Sequence, residues 1–323
     1  MRVAILGAGR IGQVHAPNVD RHPGSQIAAI ADPISEAGTA LALRYGARVM
    51  SEAEIMADPE IDAVLIASST DRHADQAEAA ARSGKAIFCE KPVDLSLERV
   101  RRVEAVLAAH PVPFMLGFNR RFDPNFAALK AQIDAGAIGK VEMITILSRD
   151  PAPPPLDYIR VSGGLFRDMM IHDFDIARWL AGAEFIDVAA MGAVHVDPAI
   201  AAAGDVDTAA VTLKTASGIL ASISNSRRAA YGYDQRIEVH GSHGMVSAEN
   251  MRETTMVLST PDGIRFEKPK HFFLERYETA YAREWAAFVD LVATGKAHAP
   301  GIEDGLASLE LAERALASAS AHR

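Results

Sequence analysis

Cysteine is almost missing from this chain: Cys89 is the single one in 323 residues, so no intrachain disulfide can form. It lies in the apolar stretch AIFCE, where a reduced, packed thiol is expected, and a cytoplasmic location fits that state. Positive charge is also scarce. The formal net charge is −9 and no basic tract offsets it, which disfavours nucleic acid and anionic membranes as partners, because both reward clustered Lys and Arg. No uninterrupted apolar run reaches the ~18 residues needed to span a bilayer. The opening MRVAILGAG turns to glycine too soon for the core of a targeting peptide. With no internal repeat and no long low-complexity segment, the expectation is a soluble, untargeted protein, long enough for two domains.

Residues 1 to about 118 alternate short apolar runs (VAILG, IAAIAD, AVLIAS, AIFCE, FMLGF) with alanine-rich helical patterns, which predicts a parallel sheet with crossover helices. After about residue 120 the texture changes. PNFAALKAQIDAG reads as a helix stopped at Gly136, VEMITILSRD as a strand and DPAPPPLDY as a loop. Strand-like runs separated by turn residues then follow (DVAAMGAVHV, DTAAVTLKT, GILASISNSRR, QRIEVHGS, GMVSAEN, ETTMVLST), predicting an antiparallel or mixed sheet. From FFLERYETAYAREW onward the chain reads as helices. The domains expected are residues 1–118 and residues 119–323, with the last helices able to pack back on the first domain.

In VAILGAGRIG, Gly7, Gly9 and Gly12 take the GxGxxG spacing directly after a strand pattern and before a helix pattern. Side chains at the first two positions would block the tight turn and the backbone's approach to a pyrophosphate, which the N–H groups of the helix start then hold. By itself the motif is common, and glycine turns without a ligand also match it. Here the second strand pattern ends in Asp32, twenty residues after Gly12, where a carboxylate accepts hydrogen bonds from a ribose and repels a 2′-phosphate. No arginine follows, since Pro33, Ile34 and Ser35 come next, so NAD is expected over NADP. Pro17 falls inside the first helix pattern, where it removes one hydrogen bond at a cost of about 3 kcal/mol, and a bend or local break between Gln13 and Pro17 is expected.

Two further stretches carry chemistry. CEKP sets Glu90 and Lys91 just past an apolar run, at the carboxyl end of a strand where ligands sit in open α/β sheets. A loop-exposed salt bridge is the plainer reading of that pair, and Pro92 is a candidate for a cis bond. RDMMIHDFDIARWL, read as one helix, puts Asp168, His172 and Asp175 on a single face and Met170, Phe174 and Ala177 on another. Without context, that polar face is a solvated stripe of an amphipathic helix. His15, His240 and His243 read as structural or solvated, and Arg227 and Arg228, as neighbours on a probable strand, point to opposite faces rather than forming a patch.

Taken in order and spacing, VAILGAGRIG, CEKP, GFNRRFDP and GGLFRDMMIHDFDIARW resemble the Gfo/Idh/MocA family of pyridine-nucleotide oxidoreductases, and GFNRRFDP narrows the likeness to its inositol-oxidising branch. The likeness runs through essentially the whole chain, including SRD at 148–150, SNSRRAAYGYDQRIEVHGSHG and ERYETAYAREW. It implies a Rossmann domain followed by an α/β domain whose large, open, mostly antiparallel sheet packs against another subunit, commonly in a homotetramer. It implies NAD-dependent oxidation of a secondary alcohol of a cyclic polyol, myo-inositol to scyllo-inosose. By the same resemblance, Lys91 matches the family's EKP lysine, and Asp168 and His172 match its Asp-x-x-x-His pair. Asp175 matches a substrate-hydroxyl contact, with Arg120, Asp150 and Tyr281 around the polyol. Gly7, Gly9, Arg10, Ile11, Gly12, Asp32, Ser69, Thr70, His73, Glu90 and Lys91 are the expected cofactor contacts. The chain departs from the family at ASSTDRHAD, where Ser68 and Ser69 replace a common Thr-Pro.

The chemistry assigns roles. Alcohol oxidation needs hydride loss to the nicotinamide and proton loss to a base that works near neutral pH, for which His172 is the natural group. Asp168 stabilises the imidazolium or fixes its tautomer, and Lys91 stabilises negative charge on the oxygen. Asp173, off the shared face, has no such role. A metal is not expected, because base and positive charge are already supplied. The alternatives are a dehydrogenase for scyllo-inositol, chiro-inositol or an aldose, and a non-enzymatic NADH sensor, which would need the glycines and Asp32 but not Lys91, Asp168 and His172 together.

Overall fold

Apolar runs without alternation become strands covered on both faces. In the computed structural model, which describes residues 1–296 and 299–321, such runs form β1 (Arg2–Leu6), β2 (Gln26–Ala31), β3 (Arg48–Val49), β4 (Ala63–Ile66), β5 (Ala86–Glu90) and β6 (Phe114–Gly117). All pair in parallel in the order β3-β2-β1-β4-β5-β6. The crossovers are α1 (Arg10–Arg21), α2 (Ser35–Tyr45), α3 (Glu52–Ala57), α4 (Thr70–Arg82) and α5 (Leu97–Ala109). The order reverses between β1 and β4, so the carboxyl ends of those strands flank the crevice where such sheets take their ligands. α1 stays helical through Pro17, so the break expected there does not occur. Pro17 deprives only the Gln13 carbonyl of its donor, while Ala16 and Val19 on the same helix are fully buried and keep it packed on the sheet.

The chain divides into two compact units, the first made of Met1–Phe122 and Ala280–Leu309, the second of Asp123–Thr279 and the residues from Glu310 on. The core of the first gathers Ile5, Ile30, Leu65, Phe88 and Met115 from the sheet with Trp285 and Phe288. Phe88 meets those two rings at centroid distances of 5.9 and 5.7 Å. Cys89, the next residue on β5, is fully buried, and burial pushes its thiol pKa well up.

In the second unit, α6 (Pro124–Asp134) is followed by β7 (Val141–Arg149), α7 (Leu156–Ser162), α8 (Gly164–Asp168), α9 (Ile171–Ala181), β8 (Phe185–Ala193) and α10 (Pro198–Ala202). Then come β9 (Thr208–Thr215), β10 (Leu220–Ser226), β11 (Asp234–Gly241), β12 (Gly244–Ala248), β13 (Val257–Thr260), β14 (Gly263–Phe266) and α11 (Phe273–Arg276). α12 (Glu278–Thr294) and α13 (Ile302–Ser320) close the chain. The large sheet runs β12-β11-β7-β10-β9-β8, antiparallel except for the parallel β7–β10 pair. Burial alternates along β9 and β10, one face packed and the other open. On that open face Met143, Met191, Leu220 and Met245 are exposed. β13 does not join this sheet; it pairs with β14 in a separate two-stranded ribbon. The proline-rich segment taken as a loop through Tyr158 ends earlier, because α7 begins at Leu156.

Candidate active site

The three glycines of the first loop each answer a different constraint. Gly7 has φ +107°, and a Cβ there would lie 2.5 Å from the carbonyl oxygen of Ala67 at the end of β4. A Cβ on Gly12 would collide with the Gly7 carbonyl, so α1 can pack this close to β1 only without a side chain. Gly9, the residue before α1, would meet nothing within 4 Å. Its openness is what a pyrophosphate cradle requires, with the N–H groups of the first helical turn facing it. Arg10 is exposed and Ile11 half-buried on that turn. Asp32, just past β2, accepts hydrogen bonds from the N–H groups of Ala8 at 2.6 Å and Ile34 at 2.7 Å. Those bonds fix the carboxylate beside the glycine loop, where ribose hydroxyls would be bound. These residues fit a dinucleotide.

Next to this loop, Ser69 precedes α4 and Thr70 opens it. His73 is buried, with Nδ1 2.8 Å from the Pro92 carbonyl oxygen and Nε2 3.1 Å from that of Ser68. It thereby ties the turn after β4 to the turn after β5. The Lys91–Pro92 bond in that second turn is cis. Lys91 is half-buried rather than loop-exposed, and its N–H lies 3.3 Å from a carboxyl oxygen of Glu90. The other Glu90 oxygen is 2.6 Å from Nε2 of the fully buried His15, whose ring also meets Tyr281 edge-on at 5.3 Å. Glu90, His15 and Tyr281 thus stand together behind the lysine. Arg120, buried on the short 3₁₀ turn Asn119–Phe122 after β6, lies one strand further along the same sheet.

In the second unit, Asp168 and His172 are not on one helix, as expected, but on two. The Leu165 carbonyl accepts from both Met169 N–H (3.0 Å) and Met170 N–H (2.9 Å), the second an i−5 bond that widens the turn. Asp168 therefore ends α8, and His172 stands in the first turn of α9. Met170, Phe174 and Ala177 are core residues, as their spacing predicts, but Asp175 and Asp173 are buried too, so the acidic side is not a solvated stripe. Asp173 accepts a 2.9 Å hydrogen bond from Asn225 Nδ2, a packing role. Asp168 accepts one of 2.9 Å from the Tyr158 hydroxyl on α7. Asp150 follows β7, and its N–H donates to Ser226 at the end of β10. Asp150 and Arg227 therefore leave the same sheet edge side by side.

Arg227 is the residue that reading the sequence missed. It lies just past β10 and is buried at 1% exposure, whereas Arg228 is exposed. Its Nη2 is 3.8 Å from Asp168 and 3.7 Å from Asp205. Alternation correctly separates the two arginines, but nothing in SNSRR says which one turns inward. His240 belongs to β11 and His243 to the turn before β12. Among the described residues no group of three or more His, Cys, Asp or Glu side chains is placed to hold a metal ion, and no helix is long and apolar enough to cross a membrane.

Known proteins place this geometry in a family. Residues 1–118 match the oxidoreductase family with an NAD-binding Rossmann fold, and residues 126–247 match the GFO/IDH/MocA C-terminal domain. The chain is 52% identical over 323 residues to the inositol 2-dehydrogenase of Rhizobium meliloti, covering 100% of this chain and 98% of that protein. The crystal structure of a myo-inositol dehydrogenase from Corynebacterium glutamicum is similar with a TM-score of 0.95 and 43% identity, covering 100% and 97% of the two chains. That of scyllo-inositol dehydrogenase from Lactobacillus casei, with bound NAD(H) and scyllo-inositol, is similar with a TM-score of 0.93 and 29% identity, covering 100% and 97%. A glycine loop open at Gly9, an aspartate fixed beside it and these full-length likenesses agree: the chain belongs to the GFO/IDH/MocA family of oxidoreductases with an NAD-binding Rossmann fold.

Proposed function

We propose that the protein oxidises a secondary alcohol of a cyclic polyol, myo-inositol to 2-keto-myo-inositol, with NAD. The reading rests on full-length likeness to an inositol 2-dehydrogenase in a chain that carries Lys91, Asp168 and His172. The α8–α9 junction supports it, since Asp168, four residues before the half-buried His172, is held by the Tyr158 hydroxyl. NAD supplies the hydride acceptor. His172 takes the hydroxyl proton, Asp168 stabilises the imidazolium, and the Lys91 ammonium stabilises the negative charge that grows on the oxygen as its proton leaves. Arg120, Asp150, Asp175 and Tyr281 bind the remaining ring hydroxyls. Gly7, Gly9, Arg10, Ile11, Gly12, Asp32, Ser69, Thr70, Glu90 and Lys91 line the cofactor, with His73 fixing the two turns that carry Ser69 and Lys91.

A second reading, oxidation of scyllo-inositol by the same residues, is favoured by the likeness to the Lactobacillus casei enzyme. NADH formation measured across myo-, scyllo- and chiro-inositol and common aldoses separates the two. The largest kcat/KM is expected with myo-inositol, and negligible turnover of every cyclic polyol would overturn the proposal. We further propose a cytoplasmic homotetramer, its contact the open face of the large sheet with Met143, Met191 and Met245.

A further inference from the structure

An arginine buried to this degree ordinarily has its fork filled by acceptors, because an unpaired guanidinium inside a protein is costly. Arg227 does not. Its Nε and Nη2 are buried, and among the described residues no acceptor hydrogen-bonds to either. What surrounds it is charge. Asp168 of α8 lies on one side at 3.8 Å and Asp205, ahead of β9, on the other at 3.7 Å. Asp205 is occupied elsewhere: both its oxygens accept from the Leu165 N–H in the first turn of α8, at 3.0 and 3.1 Å. Gly164 approaches it so closely that a Cβ would lie 2.6 Å from its oxygen. α8 is therefore held at its start by Asp205 and at its end by the Arg227 charge and the Tyr158 hydroxyl.

The other ionisable groups nearby are committed. Asp207, whose carbonyl accepts from the Arg227 N–H at 2.8 Å, turns its carboxylate to the N–H groups of His195 and Val196 and to the Thr208 hydroxyl. Asp173 of α9 bonds Asn225. His172 and Asp175 lie on α9, and Asp150 leaves the end of β7 beside Arg227. At 3.8 Å without a hydrogen bond, Arg227 acts on Asp168 through its charge.

We propose that Arg227 is a positioning residue for proton removal: its buried charge fixes the Asp168 carboxylate at the end of α8, and its field sets the pH at which His172 begins to accept a proton from the substrate. The inference rests on the reading of Asp168 and His172 as the proton-handling pair. Asp205 is its counterweight, drawing part of the same charge away from Asp168.

The test is the pH dependence of the holoenzyme. Removing a cation raises the pKa of a carboxylate and of an imidazole alike. Arg227→Gln should therefore move the acidic limb of the kcat/KM profile upward by about one unit, with the dissociation constant for NAD unchanged. Arg227→Lys, which keeps the charge, should restore most of that shift. Should Arg227→Gln not fold, Asp205→Asn carries the test. It keeps an acceptor for Leu165 but frees Arg227's charge for Asp168, so the acidic limb should move the other way. Limbs unmoved in both Arg227→Gln and Asp205→Asn, with activity merely scaled or stability lowered, would overturn the proposal. NMR titration of His172 in NAD-bound protein, free of any substrate assumption, keeps the two readings apart. A His172 titration displaced by Arg227→Gln in a protein that oxidises no polyol would sink the substrate reading and leave this one standing.

Discussion

Glu284, midway along α12, is fully buried, and among the described residues no donor hydrogen-bonds to either of its carboxyl oxygens. Burial, and secondarily the charge of Glu90, pushes its pKa well above the ordinary 4.5. The folded protein therefore holds a proton that the unfolded chain releases above that pH, so this group's stabilisation is complete in acid and is lost as pH rises through the folded value. Glu284→Gln, a neutral isostere, should raise the melting temperature at about pH 8 and leave it unchanged near pH 4, where both states are protonated. A variant no more stable than the native protein at the higher pH would show the acid to be ionised and paired. For the reaction, His172→Ala and Lys91→Ala should each lower kcat by about 10²-fold or more while NAD binding is kept; retained turnover in both would remove them from the mechanism. The place of Lys91 just past a strand is legible in CEKP. Arg227 and Glu284 are not, because the sequence shows a charge but not whether the fold buries it.

At the scale of elements, the alternation of apolar runs with alanine-rich segments foretells the parallel sheet, since strands covered on both faces need no polar side. The α8–α9 junction escapes that reading. Its residues keep helical spacing, and what divides it is a shared Leu165 carbonyl, a backbone event that leaves no mark on side-chain periodicity. The helix through Pro17 fails in the opposite sense: propensity forbids it, and the burial of Ala16 and Val19 overrides propensity. The glycine loop separates stability from binding. Gly7→Ala, with a positive φ and a backbone neighbour at 2.5 Å, should destabilise by about 2 kcal/mol or more. Gly9→Ala, in open space, should change stability by less than about 0.5 kcal/mol yet weaken NAD by about tenfold. Thermal melts and cofactor titration of the two variants check this, and the pattern fails if both lose stability alike. Asp32→Ala belongs with them: a higher KM for NAD and a narrower preference over NADP, read from kinetics with both cofactors.

At the scale of the molecule, the open face of the large sheet sets Met245, Met143 and Leu220 on strands β12, β7 and β10, a row interrupted by His240 and continued to Lys214 of β9. A single charge placed in that row, Met143→Glu, should lower the native mass measured by light scattering if the face joins subunits, and leave it unchanged if it does not. The cofactor half offers a different handle. Cys89, the lone thiol, lies on β5 immediately before the Glu90–Lys91 turn, wholly shielded and with its ionisation suppressed. A thiol reagent can reach it only when the parallel sheet opens. The rate at which the native protein is labelled is therefore a built-in clock for the opening of the strand that carries Lys91, and its slowing by NAD would measure how firmly the cofactor clamps that strand shut.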